Sequence, residues 1–186
     1  MPVLGIIASQ ISGHLFAPSG AYDSIATTTL SSSQTTITFS SIPSTYTHLQ
    51  LRVFGKVNTG VDSGYLRFNS DSATNYSWHR LAGSGSSVNA SAGTSTAQIV
   101  LLSDSGYPAA TSTFGVSVID ILDYADTNKY KTVRSLGGYD ANGSGGIALE
   151  SGSWRSTSAI STITFAPSSY SWQQYSSFAL YGIKGA

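Results

Sequence analysis

The sequence predicts an all-β protein, and two observations carry this prediction. The first is a period of two among the apolar residues, as in residues 35–42, where Ile37 and Phe39 alternate with Thr36 and Thr38. Because strand side chains point alternately to opposite faces, such a run offers one face to a core and the other to water. The second is the series of short turn-rich stretches between the runs. Short strands separated by Gly, Ser, Asn and Pro are typical of sandwiches and barrels.

The predicted architecture is an antiparallel two-sheet β-sandwich of jelly-roll type, formed by a single domain over residues 21–186. The other strand runs are residues 48–56, 65–68, 98–102, 114–122, 130–136, 147–149, 160–165 and 178–183. The turn-rich stretches are residues 40–46, 58–64, 82–93, 103–112, 140–146 and 166–172. Residues 120–130 lack a sustained helical period, so we expect a strand end and a hairpin that turns near residues 126–128.

One segment of the chain occurs twice. The sequence TTITFSS at residues 35–41 is echoed by STITFAP at residues 161–167, and each copy leads through a Tyr-containing connection into a second apolar run. We interpret the echo as framework, with the Ile and Phe of each copy facing the core. Our hypothesis is that the copies occupy related positions in the two sheets and interdigitate across the sandwich. Chance in a chain rich in Thr and Ser is the alternative.

The first twenty residues differ from the rest of the chain. Residues 3–9, VLGIIAS, are apolar, whereas the residues that follow show no clear strand pattern. One interpretation of residues 1–20 is an edge strand followed by a loop. The other is an extended N-terminal arm that docks on a neighbouring subunit, because exposed apolar ends need a partner. In that case the docking side chains are Val3, Leu4, Ile6 and Ile7.

Composition and charge exclude several classes of protein. The chain of 186 residues has no cysteine, and its nine basic residues balance nine acidic ones. Without Cys there is no disulfide, thiolate nucleophile or Cys-based zinc site. Lys129, Lys131 and Arg134 are the nearest approach to a basic stripe, which is too little for nucleic-acid binding. Near-zero net charge favours association and suits a protein of a large assembly. We expect neither a membrane span nor secretion.

The residue pattern offers no catalytic constellation. No Ser lies in a G-x-S-x-G elbow, and His14, His48 and His79 stand in three different settings. We expect a structural or surface role for each of these histidines. The only Glu is Glu150, so nothing selects the pair of carboxylates that a glycosidase needs. The prediction is a non-enzymatic protein without a cofactor.

One loop partly matches a calcium-binding pattern. Asp140, Asn142, Ser144 and Gly145 hold positions 1, 3, 5 and 6 of an EF-hand loop. Position 12 is Ser151 rather than the bidentate Glu, and the flanks resemble strands, so we predict a Gly-rich hairpin loop and no metal. The eleven Tyr and three Trp could stack on sugars, although aromatic residues on strands more often build cores and interfaces.

Several segments together carry a family resemblance. They are MPVLGIIAS, YDSIATTTL, TFSSIPSTYTHLQLRVFGK, LRFNSDSATNYSWHRLAGSGSS, VIDILDYADTNKYKTVRSLGGYD, GSWRSTSAISTITF and QYSSFALYGIK. The most specific stretches are SSIPSTYTHLQLR, DYADTNKYKT and YSSFALYGIK. The chain resembles, over nearly its whole length, a family of small virion proteins of tailed bacteriophages found in cyanophages and other aquatic phages. The resemblance implies a β framework and membership of the virion, and it offers no catalytic residues.

The resemblance leaves two virion roles open. In the first, the protein is a capsid decoration or cement protein, a homotrimer that is made in the host cytoplasm and bridges major capsid subunits on the head surface. In the second, it is a tail or fibre module that recognises a host-surface glycan. We favour cement, because fibre proteins are usually longer and carry a particle-attachment region. A non-viral lectin-like domain is a third class, since fold and function are only loosely linked.

Overall fold

The structure, a computed structural model, describes residues 20–102, 106–110 and 112–185. Within these residues the chain is all-β, with fourteen strands and no helix, and therefore no helix that could cross a membrane. The strand pairings are antiparallel. The predicted all-β class is therefore confirmed. The predicted docking residues of the arm, Val3, Leu4, Ile6 and Ile7, lie outside the described residues.

The strands form one large sheet and two smaller ones. The large sheet contains, in spatial order, β1 (Tyr22–Thr29), β14 (Ser177–Ile183), β3 (His48–Gly55), β10 (Gly115–Leu122), β11 (Lys131–Asp140), β12 (Gly145–Trp154), β6 (Tyr76–Gly83) and β7 (Val88–Thr96). The four-stranded sheet contains β2 (Ile37–Phe39), β13 (Ile163–Pro167), β5 (Gly64–Phe68) and β8 (Ile99–Leu101). A third sheet pairs β4 (Val61–Asp62) with β9 (Tyr107–Pro108). The large sheet ends at β1 and β7, so it is open rather than closed into a barrel.

The core lies between the inner face of the large sheet and the four-stranded sheet. Phe165 of β13 meets Phe178 of β14, with ring centroids 6.3 Å apart. Phe68 of β5 meets Trp154 of β12, with centroids 5.6 Å apart. Trp172, in the connection between β13 and β14, is fully buried and lies 5.1 Å from the ring of Phe178. Large aromatic side chains therefore hold the two sheets together.

The predicted hairpin between β10 and β11 is confirmed. Its turn is closed by two short-range hydrogen bonds, from Asp126 N to Asp123 O (3.0 Å) and from Asn128 N to Asp126 Oδ1 (2.7 Å). Such Asx contacts are typical of turns. The Gly-rich loop predicted near Asp140 is likewise the turn of a hairpin, between β11 and β12.

The prediction that residues 82–93 form a loop is wrong. Ala82 and Gly83 end β6, only residues 84–87 form a turn, and the edge strand β7 begins at Val88. Apart from Val88 its residues are small or polar, so they carry little strand signal of their own. The strand forms because β6 supplies a pairing partner, with Leu81 opposite Ala90. Strand β1, which pairs with β14, also lies outside the predicted runs.

The echoed segment proves to be a pair of neighbouring strands. Ile163 lies opposite Phe39, and Phe165 lies opposite Ile37, in the four-stranded sheet. All four side chains are buried, which confirms their predicted role in the core. The hypothesis that the copies lie in different sheets is wrong, because β2 and β13 pair directly. The strands that follow them, β3 and β14, also pair with each other, in the large sheet.

Candidate protein-interaction surface

The candidate site is a part of the large sheet that points away from the core. We call it the outer face and define it by two adjacent rows of outward side chains that cross β10, β11, β12, β6 and β7. Its central row consists of Val118, Leu136, Leu149, Leu81 and Ala90, each the register partner of the next. Directly opposed side chains on antiparallel strands have Cβ atoms about 4.5–5.5 Å apart. The row is therefore an unbroken apolar band across five strands.

A second row runs beside the first. It consists of Val116, Gly138, Ile147, Gly83 and Val88, again in register from β10 to β7. The two glycines carry no side chain, so the three apolar side chains that they separate do not touch one another along this row. A shallow groove follows the rows across β10, β11 and β12. The outer face is thus apolar in both rows and uneven in relief.

The large apolar side chains of both rows are exposed. The exposed fractions are 75% for Val88, 59% for Ile147, 53% for Leu136, 52% for Leu81, 50% for Leu149, 49% for Val116 and 42% for Val118. An antiparallel sheet that covers a core with one face usually turns polar side chains to water on the other. Here the seven residues lie in adjacent positions and together present several hundred Å² of surface, which is the size of the largest and often functional patch on a typical monomer, ~300–600 Å². The patch indicates a surface that binds a partner.

The inner positions of the same strands are unexpectedly polar. In β11 and β12, Ser135 and Glu150 point inward and are almost fully buried, whereas Leu136 and Leu149 point outward. At these four positions the expected arrangement of apolar side chains inside and polar side chains outside is inverted. The inversion shows that strand alternation alone did not decide which face of the sheet meets the core.

Glu150 occupies a buried site closed to solvent. Its Oε1 accepts a hydrogen bond from Leu102 N, while Oε2 has no hydrogen-bond partner among the described residues. Burial raises the pKa of Glu150 to about 7, and the hydrogen bond from Leu102 N and the positive charge of Arg80 limit the rise. The group lies beneath the outer face rather than on it, so we assign it a structural role.

The three basic residues that resembled a stripe do not share a surface. Lys129 lies in the turn before β11, and Arg134 points to the border of the outer face. Lys131 is fully buried, and its Nζ donates hydrogen bonds to the carbonyl oxygens of Asp126, Lys129 (2.8 Å) and Thr157 (3.3 Å). Loss of hydration lowers the pKa of Lys131. This ammonium group therefore ties two loops together.

A chain of polar side chains borders the outer face on one side. Arg134 Nη2 donates to Asp120 Oδ2 (2.8 Å), and Gln50 Nε2 donates to Asp120 Oδ1 (2.8 Å). Arg52 Nε in turn donates to Gln50 Oε1 (2.8 Å). The charges at this border are thus paired or hydrogen-bonded, and none of them projects into the two apolar rows.

Arg52 also links the border to two tyrosine rings. Its guanidinium carbon lies 5.4 Å from the ring centroid of Tyr22 and 4.7 Å from that of Tyr181. Cation–π contacts of this kind hold the arginine in place. Tyr and Arg are also the residue types most enriched at the centres of protein interfaces. The composition of the border agrees with the interpretation of the apolar rows.

The structure brings together no catalytic or metal site from the predicted candidates. His48 Nδ1 accepts a hydrogen bond from Asp123 N (3.0 Å), His79 is exposed beside the outer face, and His14 lies outside the described residues. Asp140 Oδ1 accepts a hydrogen bond from Asn142 N (2.8 Å), an Asx turn within the hairpin. Over residues 20–102, 106–110 and 112–185, no three His, Asp or Glu side chains are grouped so as to hold a metal ion.

Comparisons with known proteins leave the outer face as the main guide to function. No family model, no curated protein and no solved structure matches this chain. The resemblance to phage virion proteins therefore stays a prediction from the sequence.

Proposed function

We propose that this protein is a non-enzymatic structural protein of a phage virion, a capsid decoration or cement protein that stabilises the head by bridging major capsid subunits. The single observation that carries the proposal is the outer face. A sheet that exposes two adjacent rows of apolar side chains is typical of a protein that works inside an assembly. The balanced charge of the chain also favours association. The family resemblance suggests that the assembly is a phage virion.

The fold that we propose for this role is a two-sheet β-sandwich of jelly-roll type. The ring contacts between the large and the four-stranded sheet support two facing layers.

The proposed partner is the phage major capsid protein, and the proposed contact is the N-terminal arm through Val3, Leu4, Ile6 and Ile7. Copies of the chain form a homo-oligomer, which the resemblance implies to be a trimer. No nucleic acid, membrane or cofactor takes part in this function.

The first experiment tests whether the protein strengthens the head. Heads stripped of the protein and heads that carry it are heated and subjected to osmotic shock in parallel. Protein that binds the assembled shell across its subunits stabilises the shell by mass action, so stripped heads are expected to burst at a lower temperature. Equal robustness of the two preparations would contradict the cement role.

The second experiment tests the arm. A variant with Val3→Ser, Leu4→Ser, Ile6→Ser and Ile7→Ser is expected to lose co-sedimentation with heads while its melting temperature stays unchanged. The matched control carries Ser9→Ala and Gln10→Ala in the same segment and is expected to bind as the wild type does. Binding of the serine variant at wild-type affinity would mean that the arm is not the capsid contact.

A groove at the tips of two hairpins favours the alternative function of a tail or fibre module. It is lined by Tyr139, Asp140, Ser144 and Ser84, a combination of ring, carboxylate and hydroxyl groups that suits a sugar. Saturable binding on a glycan array that Tyr139→Ala abolishes would support the fibre role. Location of the chain on the tail in a cryo-EM map of the virion would do the same.

A further inference from the structure

We propose that the outer face is covered by the outer face of a second copy of this chain, so that two copies pair about a two-fold axis. The inference goes beyond the proposed function, because it concerns the contact between copies and holds whether or not the protein sits on a phage head. For this contact it puts a pair in place of the trimer that the resemblance implies. It rests on three properties of the outer face: its area, its symmetry and its charge.

The area is of the order that a stable pair needs. The seven large apolar side chains of the two rows are 42–75% exposed and present several hundred Å² per copy, and a standard protein interface covers about 800 Å² per partner. Two sheets packed face to face lie about 10 Å apart with their side chains interdigitated. Pairing would thus bury the two rows of each copy at once.

The four large side chains of the central row, on β10, β11, β12 and β6, are arranged almost symmetrically. Leu136 and Leu149 lie at its centre, on β11 and β12, with Val118 on one side and Leu81 on the other. A two-fold axis that runs between β11 and β12, along the strands, places Leu136 opposite Leu149 of the second copy. The same axis places Val118 opposite Leu81 of the second copy. From β10 to β6 the row therefore meets itself with an apolar side chain opposite each apolar side chain, as an isologous contact requires, while Ala90 lies opposite Arg52 of the second copy at the edge of the contact.

The charges at the border also agree with self-pairing. The row next to the central one consists of Asp120, Arg134, Ser151 and His79, in register across the same strands. The same axis places Asp120 opposite His79 of the second copy, and Arg134 opposite Ser151 of the second copy, so no like charges meet. The two apolar rows carry no charge of their own, which leaves a highly charged partner nothing to pair with. The second copy, with a net charge of zero, fits this surface.

The first test measures the molar mass of the full chain in solution by light scattering, at concentrations up to about 100 µM. The wild type is expected at twice the chain mass of 19.4 kDa. A variant with Leu136→Glu and Leu149→Glu is expected to be monomeric, with association weakened roughly a hundredfold or more because charges would be buried in an apolar contact. The control Tyr130→Glu alters a side chain that is 58% exposed but lies outside the outer face, and it should remain paired.

A second test locates the contact and does not depend on the folding of the glutamate variant. The chain has no cysteine, so one introduced thiol is the only site for a short bis-maleimide linker. Chains with Leu136→Cys mixed with chains with Leu149→Cys are expected to cross-link efficiently, and Tyr130→Cys mixed with either is not.

A wild type that stays monomeric over the whole concentration range would overturn the inference, and so would equal cross-linking at Tyr130. A mass of three copies would overturn the two-fold pairing and favour the trimer that the resemblance implies. These outcomes are independent of the head experiments. If the chain does not pair but still binds heads, the proposed function stands and the pairing inference falls. If the chain pairs but has no effect on heads, the pairing inference stands and the proposed function falls.

Discussion

Glu150 and Lys131 are ionisable side chains that the fold removes from water, and they show how single residues are constrained here. Both sit on inward positions of strands that also carry exposed apolar side chains on their outward positions. The ammonium group of Lys131 donates hydrogen bonds to three carbonyl oxygens. The carboxylate of Glu150 accepts one hydrogen bond from a backbone N–H, and its second oxygen has no hydrogen bond within the part of the chain that the structure describes. Glu150 is therefore the side chain whose ionisation should affect stability most directly.

The raised pKa of Glu150 determines how its contribution to the free energy of unfolding changes with pH. The folded pKa of about 7 lies above the ordinary value of 4.5, so between these pH values the folded state holds a proton that the unfolded state has released. The contribution of Glu150 to the free energy of unfolding is full below pH 4.5 and falls as the pH rises to 7. The total fall is about 3 kcal/mol.

The substitution Glu150→Gln tests this effect. Gln keeps the size of the side chain and an oxygen acceptor for Leu102 N, but it does not titrate. We expect the free energy of unfolding of the variant, relative to the wild type, to rise by about 3 kcal/mol between pH 4.5 and 7.5. Urea denaturation across this range measures it, with Asp140→Asn as the control at an exposed carboxylate. A difference that is the same at every pH would contradict the assignment.

At the scale of elements, the paired copies of the echoed segment connect the two main sheets. Each copy places one strand in the four-stranded sheet and its successor in the large sheet, and the copies pair with each other in both. The echo was visible in the sequence, but the pairing was not. The periodicity of TITF predicts two strands with Ile and Phe on one face, and nothing in seven residues specifies which other strand lies alongside.

The substitution Phe165→Ala tests the role of this pair. Phe165 is fully buried against Trp172 and Phe178, with ring centroids 5.5 and 6.3 Å away, so its removal leaves a cavity between the sheets. We expect a loss of about 3–5 kcal/mol in the free energy of unfolding, measured by urea denaturation. The control Thr38→Ala, an exposed position on β2, should change it by less than about 0.5 kcal/mol. Near-neutral behaviour of Phe165→Ala would mean that the ring does not belong to the core.

At the scale of the whole molecule, the outer face ties stability to protein concentration. A pair that unfolds into two chains becomes more stable as the concentration rises. We expect the melting temperature of the wild type to rise by about 3–5 °C over a hundredfold increase in concentration, and that of the Leu136→Glu, Leu149→Glu variant to stay constant. Scanning calorimetry measures both. Added salt should not lower the wild-type value, because the contact is apolar. A concentration-independent wild type would contradict this.

More of the fold than of the candidate site could be predicted from the sequence. The strand class and the hairpin near Asp126 follow from local pattern and turn chemistry. Strand β7 was missed because its side chains are too small to show a period. The outer face was missed because an apolar alternation is normally assigned to the core. The local pattern gave no warning: the usual rule assigns Leu149 to the core and Glu150 to water, and the structure shows the reverse.

The sequence by itself determined that the chain is built of strands and that Ile37, Phe39, Ile163 and Phe165 belong to its core, because the period of two is a property of each strand alone. The tertiary structure decided the rest: the pairing of the two copies, the burial of Glu150, and the alignment of apolar residues from five strands into one exposed surface. Register is set between strands that are distant in the chain, and a shift of one residue turns every side chain of a strand to the opposite face.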